Sequence, residues 1–398
     1  MARRPRGTAP AGKHSTEKDH LHRLAALSIA YYANVPVILE GPPGQGKSTT
    51  CAAFAQALGC PLEVIVAAER DPTDIAGIPH VVDGVTRVMR PDWLDNIVSA
   101  GKGLILFDDI TNAAPAVRSA ILRGLDGSRT FARTQLPAEA RIILACNPPD
   151  LAEDGYELGA PAANRILHLN DWELPAKVFT QGLRTGRWPA PPVYAFPNLD
   201  QHLTWARRAV ASYLTARPSD VNRVPTGQNV GVAYPSPRTW DLLARLLGHA
   251  RAARTPEGDP FPASARALLI EGTIGDAVAA TFMEFIDNLN LPDPRRVLDD
   301  PTSWAIPARG DIVAAALDSI IFTLEESPTV EGWRNAGIVL GRAVDAKHGE
   351  PVAAILNRWI TCGAANGWRH NWPPEIGPGS SFDKVLRLVE PSVGAALV

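Results

Sequence analysis

Residues 38–50 read ILEGPPGQGKSTT, and no other stretch limits the fold as tightly. Gly41, Gly46, Lys47 and Ser48 satisfy G-x-x-x-x-G-K-[ST], after a short apolar run and before a helix-forming one. A loop of small residues can wrap an anion with its backbone N–H groups, and a helix N-terminus adds partial positive charge. Gly44 and Gly46 permit backbone angles that other residues resist. The spacing therefore predicts a phosphate loop made by Gly41, Pro42, Pro43, Gly44, Gln45, Gly46, Lys47, Ser48 and Thr49. Lys47 supplies a mobile charge for β- and γ-phosphates, and Ser48 an oxygen for Mg²⁺. The alternative is a Gly-Pro turn that happens to precede a helix.

The flanking sequence alternates apolar strands with helices. PVILE, LEVIVAA, GLILFDD, ARIILACN and NRILHLN read as strands. Helices are expected at DHLHRLAALSIAYYAN, STTCAAFAQALG and APAVRSAILRGLDG. Continuously apolar strands separated by helices imply a parallel sheet covered on both faces, an α/β three-layer core. HVVDGVTRV interrupts the alternation, because Asp83-Gly84 between valine-rich arms is a two-residue hairpin signal near residues 80–88. GLILFDD ends in Asp108 and Asp109, at the strand end where such sheets bind ligands. Asp108 is the expected Mg²⁺ ligand, and Asp109 the group that orients or deprotonates an attacking water. The alternative is two acidic residues that cap a strand.

RTGRWPAPPVYAFPN is Pro-rich and predicts irregular linker. Beyond it, helices are expected near 199–216, 238–253, 262–288, 309–326, 332–346 and 350–363, with a break at 290–301. The 398 residues carry a formal charge of −3, which argues against a nucleic-acid glove. Four cysteines without a CxxC pair suit reduced thiols and a cytoplasmic protein. No run is long and apolar enough for a membrane span, and the basic start MARRPRGTAPAGKHS lacks the apolar segment of a signal peptide. Residues 1–18 read as a flexible tail, so His14, His20 and His22 are not expected to hold a metal. Trp304, Trp333 and Trp359 are expected in the core. WRHNWPPE at 368–375 reads as helix packing or a partner surface, and RGD at 309–311 as a helix start.

The series GPPGQGKS, LILFDDI, LACNPP, AANRILHL and YPSPRTW resembles an AAA+ ATPase of the MoxR type, over roughly residues 20–290. The resemblance implies an AAA+ core over 19–195, a helical lid over 196–290 and a helical extension over 291–398. It implies ATP and Mg²⁺ as ligands and ATP hydrolysis as the activity. Asn147 matches sensor 1, an amide that can donate to a γ-phosphate oxygen and accept from water; locally it is equally an Asn-Pro turn. Arg165 matches the arginine finger that reaches a neighbouring subunit's nucleotide; the other reading is a surface arginine at a strand start. Arg238 matches sensor 2, on the first turn of a lid helix, and is expected to couple lid motion to hydrolysis. Arg123 and Arg129 are lesser candidates for an intersubunit site. The family's acidic pair is Asp-Glu; Asp109 is one methylene shorter, which implies altered water positioning.

The resemblance further implies a homo-oligomeric ring of six, whose hairpin could face a central channel and touch a protein client. It also implies a von Willebrand A-type partner, whose Asp-x-Ser-x-Ser pattern is not in residues 291–398. Two other readings remain open: a nucleic-acid-directed motor or loader, and a nucleotide-gated scaffold that scarcely hydrolyses ATP.

Overall fold

The computed structural model describes residues 15–148, 151, 159–225, 231–287, 289 and 291–368. The expected tail up to residue 14 and the tryptophan-rich segment beyond Trp368 lie outside these residues. The chain divides into two compact units, one ending at Ala206 and resuming over Asp220–Ala280, the other comprising Arg207–Ser219 and the residues from Thr281 on.

In the first unit the order is α1 (Glu17–Tyr32), β1 (Val37–Glu40), α2 (Lys47–Leu58), β2 (Leu62–Val66), α3 (Pro72–Ala76), β3 (Ile78–Val82), β4 (Val85–Met89), α4 (Asp92–Ala100) and β5 (Lys102–Asp108). There follow α5 (Pro115–Gly124), β6 (Thr130–Phe131), β7 (Thr134–Gln135), β8 (Glu139–Cys146), α6 (Ala160–Ala163), β9 (Leu167–Leu169) and α7 (Ala176–Thr185). Helices α8 (Leu199–Ala216), α9 (Pro237–Ala252), α10 (Ala263–Ile274) and α11 (Asp276–Asp287) come next in the chain.

Five parallel strands form one sheet in the order β2-β5-β8-β1-β9. Successive side chains on a strand point to opposite faces, so an all-apolar strand feeds two cores. On β5, Leu104 and Leu106 pack with Leu27, Phe54 and Leu246, while Ile105 and Phe107 pack with Trp93, Val117 and Ile121. This is the doubly covered α/β architecture expected from the apolar strands. The helix α1 begins at Glu17, where Thr16 and Asp19 make a capping box.

Three differences from the sequence expectation have physical causes. The helix expected over 262–288 is two helices, because Gly275 takes φ +75° where a Cβ would lie 2.5 Å from the Ala233 carbonyl. The Pro-rich linker is preceded by α7, whose Gly186 C-cap is left-handed. A second hairpin, β6–β7, turns through Ala132 and Arg133, both at positive φ without a glycine or asparagine to signal it. Phe131 holds it, buried against Trp93 and Phe107 at 5.4 and 5.8 Å between ring centres. The β3–β4 hairpin turns at Asp83 and Gly84, both at positive φ, and exposes Ile78, Val81, Val85 and Met89.

The second unit contains α12 (Pro294–Asp299), α13 (Gly310–Glu326), α14 (Val330–Asp345) and α15 (Gly349–Ala365). Trp304, Trp333 and Trp359 are buried in its core with Val313, Leu317 and Leu340. Trp333 and Trp359 stack at 4.7 Å, and each indole N–H donates to the other's carbonyl, at 3.0 and 2.9 Å. Arg309 and Asp311 pair at the start of α13. No helix among the described residues is long and apolar enough to cross a membrane.

His168 on β9 is fully buried, its Nε2 donating to the Ala163 carbonyl at 3.0 Å, and burial holds its pKa below the ordinary value. The unfolded chain therefore binds a proton that the fold refuses, and stability falls as pH drops below about 6.5. The expected result for His168→Asn is a shallower dependence between pH 7 and 5, by at most about 1.4 kcal/mol per pH unit, in urea unfolding titrations.

Candidate functional site: a phosphate loop and an arginine pocket

Strand β1 delivers the loop to the C-terminal edge of the sheet. Gly41 N–H donates to the Cys146 carbonyl on β8 at 3.2 Å, and a Cβ at position 41 would lie 2.1 Å from the Trp172 carbonyl. Only glycine fits where β1, β8 and the chain after β9 converge. Gly44 and Gly46 take φ +76° and +77°, and Gly46 is the N-cap of α2. Left-handed residues turn successive amides inward and open the helix at Lys47, the local geometry of an anion cradle.

Lys47 is 7% exposed. Its Nζ donates to the carbonyls of Gly41 and Pro42 at 2.6 and 3.0 Å and to Asn147 Oδ1 at 3.3 Å. Burial lowers its pKa, opposed by the nearby carboxylates, Asp108 first among them. Ser48 Oγ donates to Asp108 Oδ2 at 2.6 Å. A hydroxyl and a carboxylate this close are the hard oxygen donors that suit Mg²⁺, which keeps several waters and takes few protein ligands. The cavity is about 390 Å³ and is lined by residues 43–49 with Val66, Asp108, Asp109, Cys146 and Asn147. It thus brings together Lys47, Ser48, Asp108, Asp109 and Asn147, which are far apart in the chain.

Asp109 stands at φ 54°, ψ 42°, in the left-handed region. Its N–H donates to Asp108 Oδ1 at 2.9 Å, and its own Oδ1 accepts from Asn112 Nδ2 at 2.8 Å. Asn112 is a residue the sequence reading missed; an amide three positions past the acidic pair reads locally as a turn. Behind the loop the Cys146 thiol is buried 3.9 Å from Glu40, and burial pushes its pKa up; Cys51 on α2 is pushed up to about 12. Neither thiol is a nucleophile at neutral pH.

A neighbouring cavity of about 680 Å³ shares Gly44 and Gln45 and is walled by Ser15, Thr16, Glu173, Leu174 and Phe179. Gln45 Oε1 accepts from the Leu174 N–H at 2.9 Å, which ties the loop to the chain after β9.

Arg165 and Arg238 do not join the phosphate cavity. They line a separate pocket of about 280 Å³ with Arg129, Arg141 and Arg245, faced by Asp126 and Asp241. Arg238, expected to couple lid and phosphate, is carried elsewhere by the packing of α9. Tyr234 Oη donates to the Ala160 carbonyl at 3.1 Å, Ser236 caps α9, and Arg238 Nη1 donates to Asn164 Oδ1 at 3.3 Å. Arg165 Nη1 donates to the Pro161 carbonyl, and its Nε is buried with no partner among the described residues. Burial lowers the Arg165 pKa, and the charge of Arg238 lowers it further. Arg129 is held by the carbonyls of Pro137 and Ala140, and Arg123 is exposed on α5.

No curated protein matches the sequence. Among solved structures the chain is similar to a candidate ATPase from Cytophaga hutchinsonii, at 16% identity over 69% of this chain and 94% of that one, with a TM-score of 0.42. It is also similar to a full-length MCM homolog from Methanopyrus kandleri, at 14% identity over 68% of this chain and 55% of that one, with a TM-score of 0.32. Residues 36–165 match the family model of the AAA domain, dynein-related subfamily, and the phosphate loop, the acidic pair, Asn147 and Arg165 all fall within that stretch.

Proposed function

We propose that the chain is an ATPase of the MoxR type that binds ATP·Mg²⁺ at the phosphate loop, hydrolyses it between copies in a ring, and remodels a protein client. The observation that carries this reading is the meeting of Lys47, Ser48, Asp108, Asp109 and Asn147 in one cavity at the C-terminal edge of a parallel sheet. The loop amides cradle the phosphates. Lys47 exchanges its bonds to the Gly41 and Pro42 carbonyls for phosphate oxygens, which offer a buried ammonium more charge. Ser48 and Asp108 would hold Mg²⁺, which would supply positive charge against the phosphates. Asp109 orients the attacking water, and Asn147 bridges that water and the γ-phosphate. The 680 Å³ cavity beside Gln45 is the space for the base, with Leu174 and Phe179 as its apolar wall.

A protomer whose finger arginine lines a different pocket cannot complete its own site. We assign Arg165 and Arg238 together to the nucleotide of the neighbouring copy, where two guanidinium groups stabilise charge spread over the transferred phosphoryl. The exposed apolar residues of the β3–β4 hairpin, with Val81 at 72% exposure, favour a protein client over nucleic acid, as does the charge of −3.

Lys47→Ala is expected to reduce ATP affinity at least about tenfold, the weight of one charge-assisted contact, in fluorescent-nucleotide titrations. Undiminished binding overturns the site assignment. Arg165→Ala and Asp109→Asn are each expected to lower phosphate release by about 10²-fold or more, and an equimolar mixture to recover part of it through interfaces that join one intact half-site from each. A mixture as inactive as its components removes the shared site.

A further inference from the structure

We infer that Asn112 is a positioning residue for hydrolysis, holding one oxygen of the Asp109 carboxylate so that the other is left to the attacking water. The inference rests on the assignment of Asp109 above. Strand β5 ends at Asp108, and the chain reverses through Asp109 in the left-handed region into a 3₁₀ turn, Ile110–Asn112. Asn112 N–H donates to the Asp109 carbonyl at 3.2 Å, and this turn folds the amide side chain back over the acid. An ionised carboxylate only accepts, so the amide presents its NH₂ group, at 2.8 Å from Asp109 Oδ1. Asp109 Oδ2 has no partner among the described residues.

The rest of the amide shows what the arrangement is kept for. Asn112 Oδ1 is buried without a partner among the described residues, an arrangement that costs desolvation free energy and that few native side chains tolerate. Asn112 is not needed as a helix cap, because α5 starts from Ala114 with no side-chain cap. Ile110, Ala113 and Val117, all fully buried, fix the turn from below. Among the described residues, the single bond that Asn112 donates from its side chain is the one to Asp109. An aspartate places its carboxylate closer to the backbone than a glutamate does, so its direction is set by two torsions and by whatever grips one oxygen. Asn112 provides that grip.

The test is steady-state ATP turnover with nucleotide binding measured separately, on the full chain and on Lys47→Ala, Asn112→Ala and Asn112→Asp. Asn112→Ala is expected to lower kcat about tenfold or more with ATP affinity held within about threefold, as for loss of an interaction that acts on the reacting geometry. Asn112→Asp keeps the shape. At pH 8 it sets two carboxylates against each other, and as pH falls the new side chain becomes protonated and donates in place of the amide. Its kcat, taken relative to wild type at each pH, is therefore expected to rise as pH falls. A residue that only supports the turn would not move that profile. Asn112→Ala with kcat within twofold of wild type, affinity and kcat falling together, or an Asn112→Asp profile parallel to wild type each overturn the inference. Should Asn112→Ala fail to fold by circular dichroism, the Asn112→Asp profile decides. Turnover that depends on Lys47 and is indifferent to Asn112 defeats this inference alone; turnover that is absent, or survives Lys47→Ala, defeats the ATPase reading with it.

Discussion

A single ammonium group, placed where β1 turns into α2, organises the phosphate site. Lys47 is buried, yet all three of its partners are oxygens of residues at the strand edge: two loop carbonyls and the Asn147 amide. A charge in that position is tolerable only while oxygens surround it. The loop must therefore fold tightly, and it does so through left-handed glycines and a first residue with no room for a side chain. The apolar strands on either side supply the rigidity. β1 lies between β8 and β9, and β8 lies between β1 and β5, so the carriers of Lys47, Asn147 and Asp108 are held in one hydrogen-bonded ladder.

What the sequence disclosed follows the range of the interactions. The phosphate loop was legible because its chemistry is local: fixed spacing, a strand before it and a helix after it. Asp108 and Asn147 were legible because each ends an apolar run, and a parallel sheet carries all such ends to one edge. The Asp-Gly hairpin was legible from two residues. The position of Arg238 was not, because it is set by Tyr234 reaching Ala160, 74 residues away. Asn112 was hidden for the opposite reason. Its contact is so short-range that it looks like any turn. The β6–β7 turn carries no signal in Ala132 and Arg133; only the burial of Phe131 compels it.

The arginine pocket sharpens the contrast between the two ends of the sheet. At the carboxyl edge, one lysine faces two aspartates and a serine. In the other pocket, five arginines face two aspartates, and three of them, Arg129, Arg141 and Arg245, are occupied with backbone carbonyls. Those three brace the pocket, while among the described residues Arg165 and Arg238 bond to the short segment Pro161–Asn164.

Strand β9 has a mechanical consequence. It is only three residues long and follows Arg165 by one residue; past its far end Trp172 donates to the Glu40 carbonyl at 2.7 Å, while its own carbonyl crowds Gly41. An extended backbone neither stretches nor shortens appreciably, so the three strand residues Leu167–Leu169 are a stiff link, set between the turn that carries Arg165 and the left-handed bend at Asp171 that brings Trp172 against Gly41. A displacement of β9 along its own direction therefore bears on the turn holding Arg165 and on the bend that packs against Gly41.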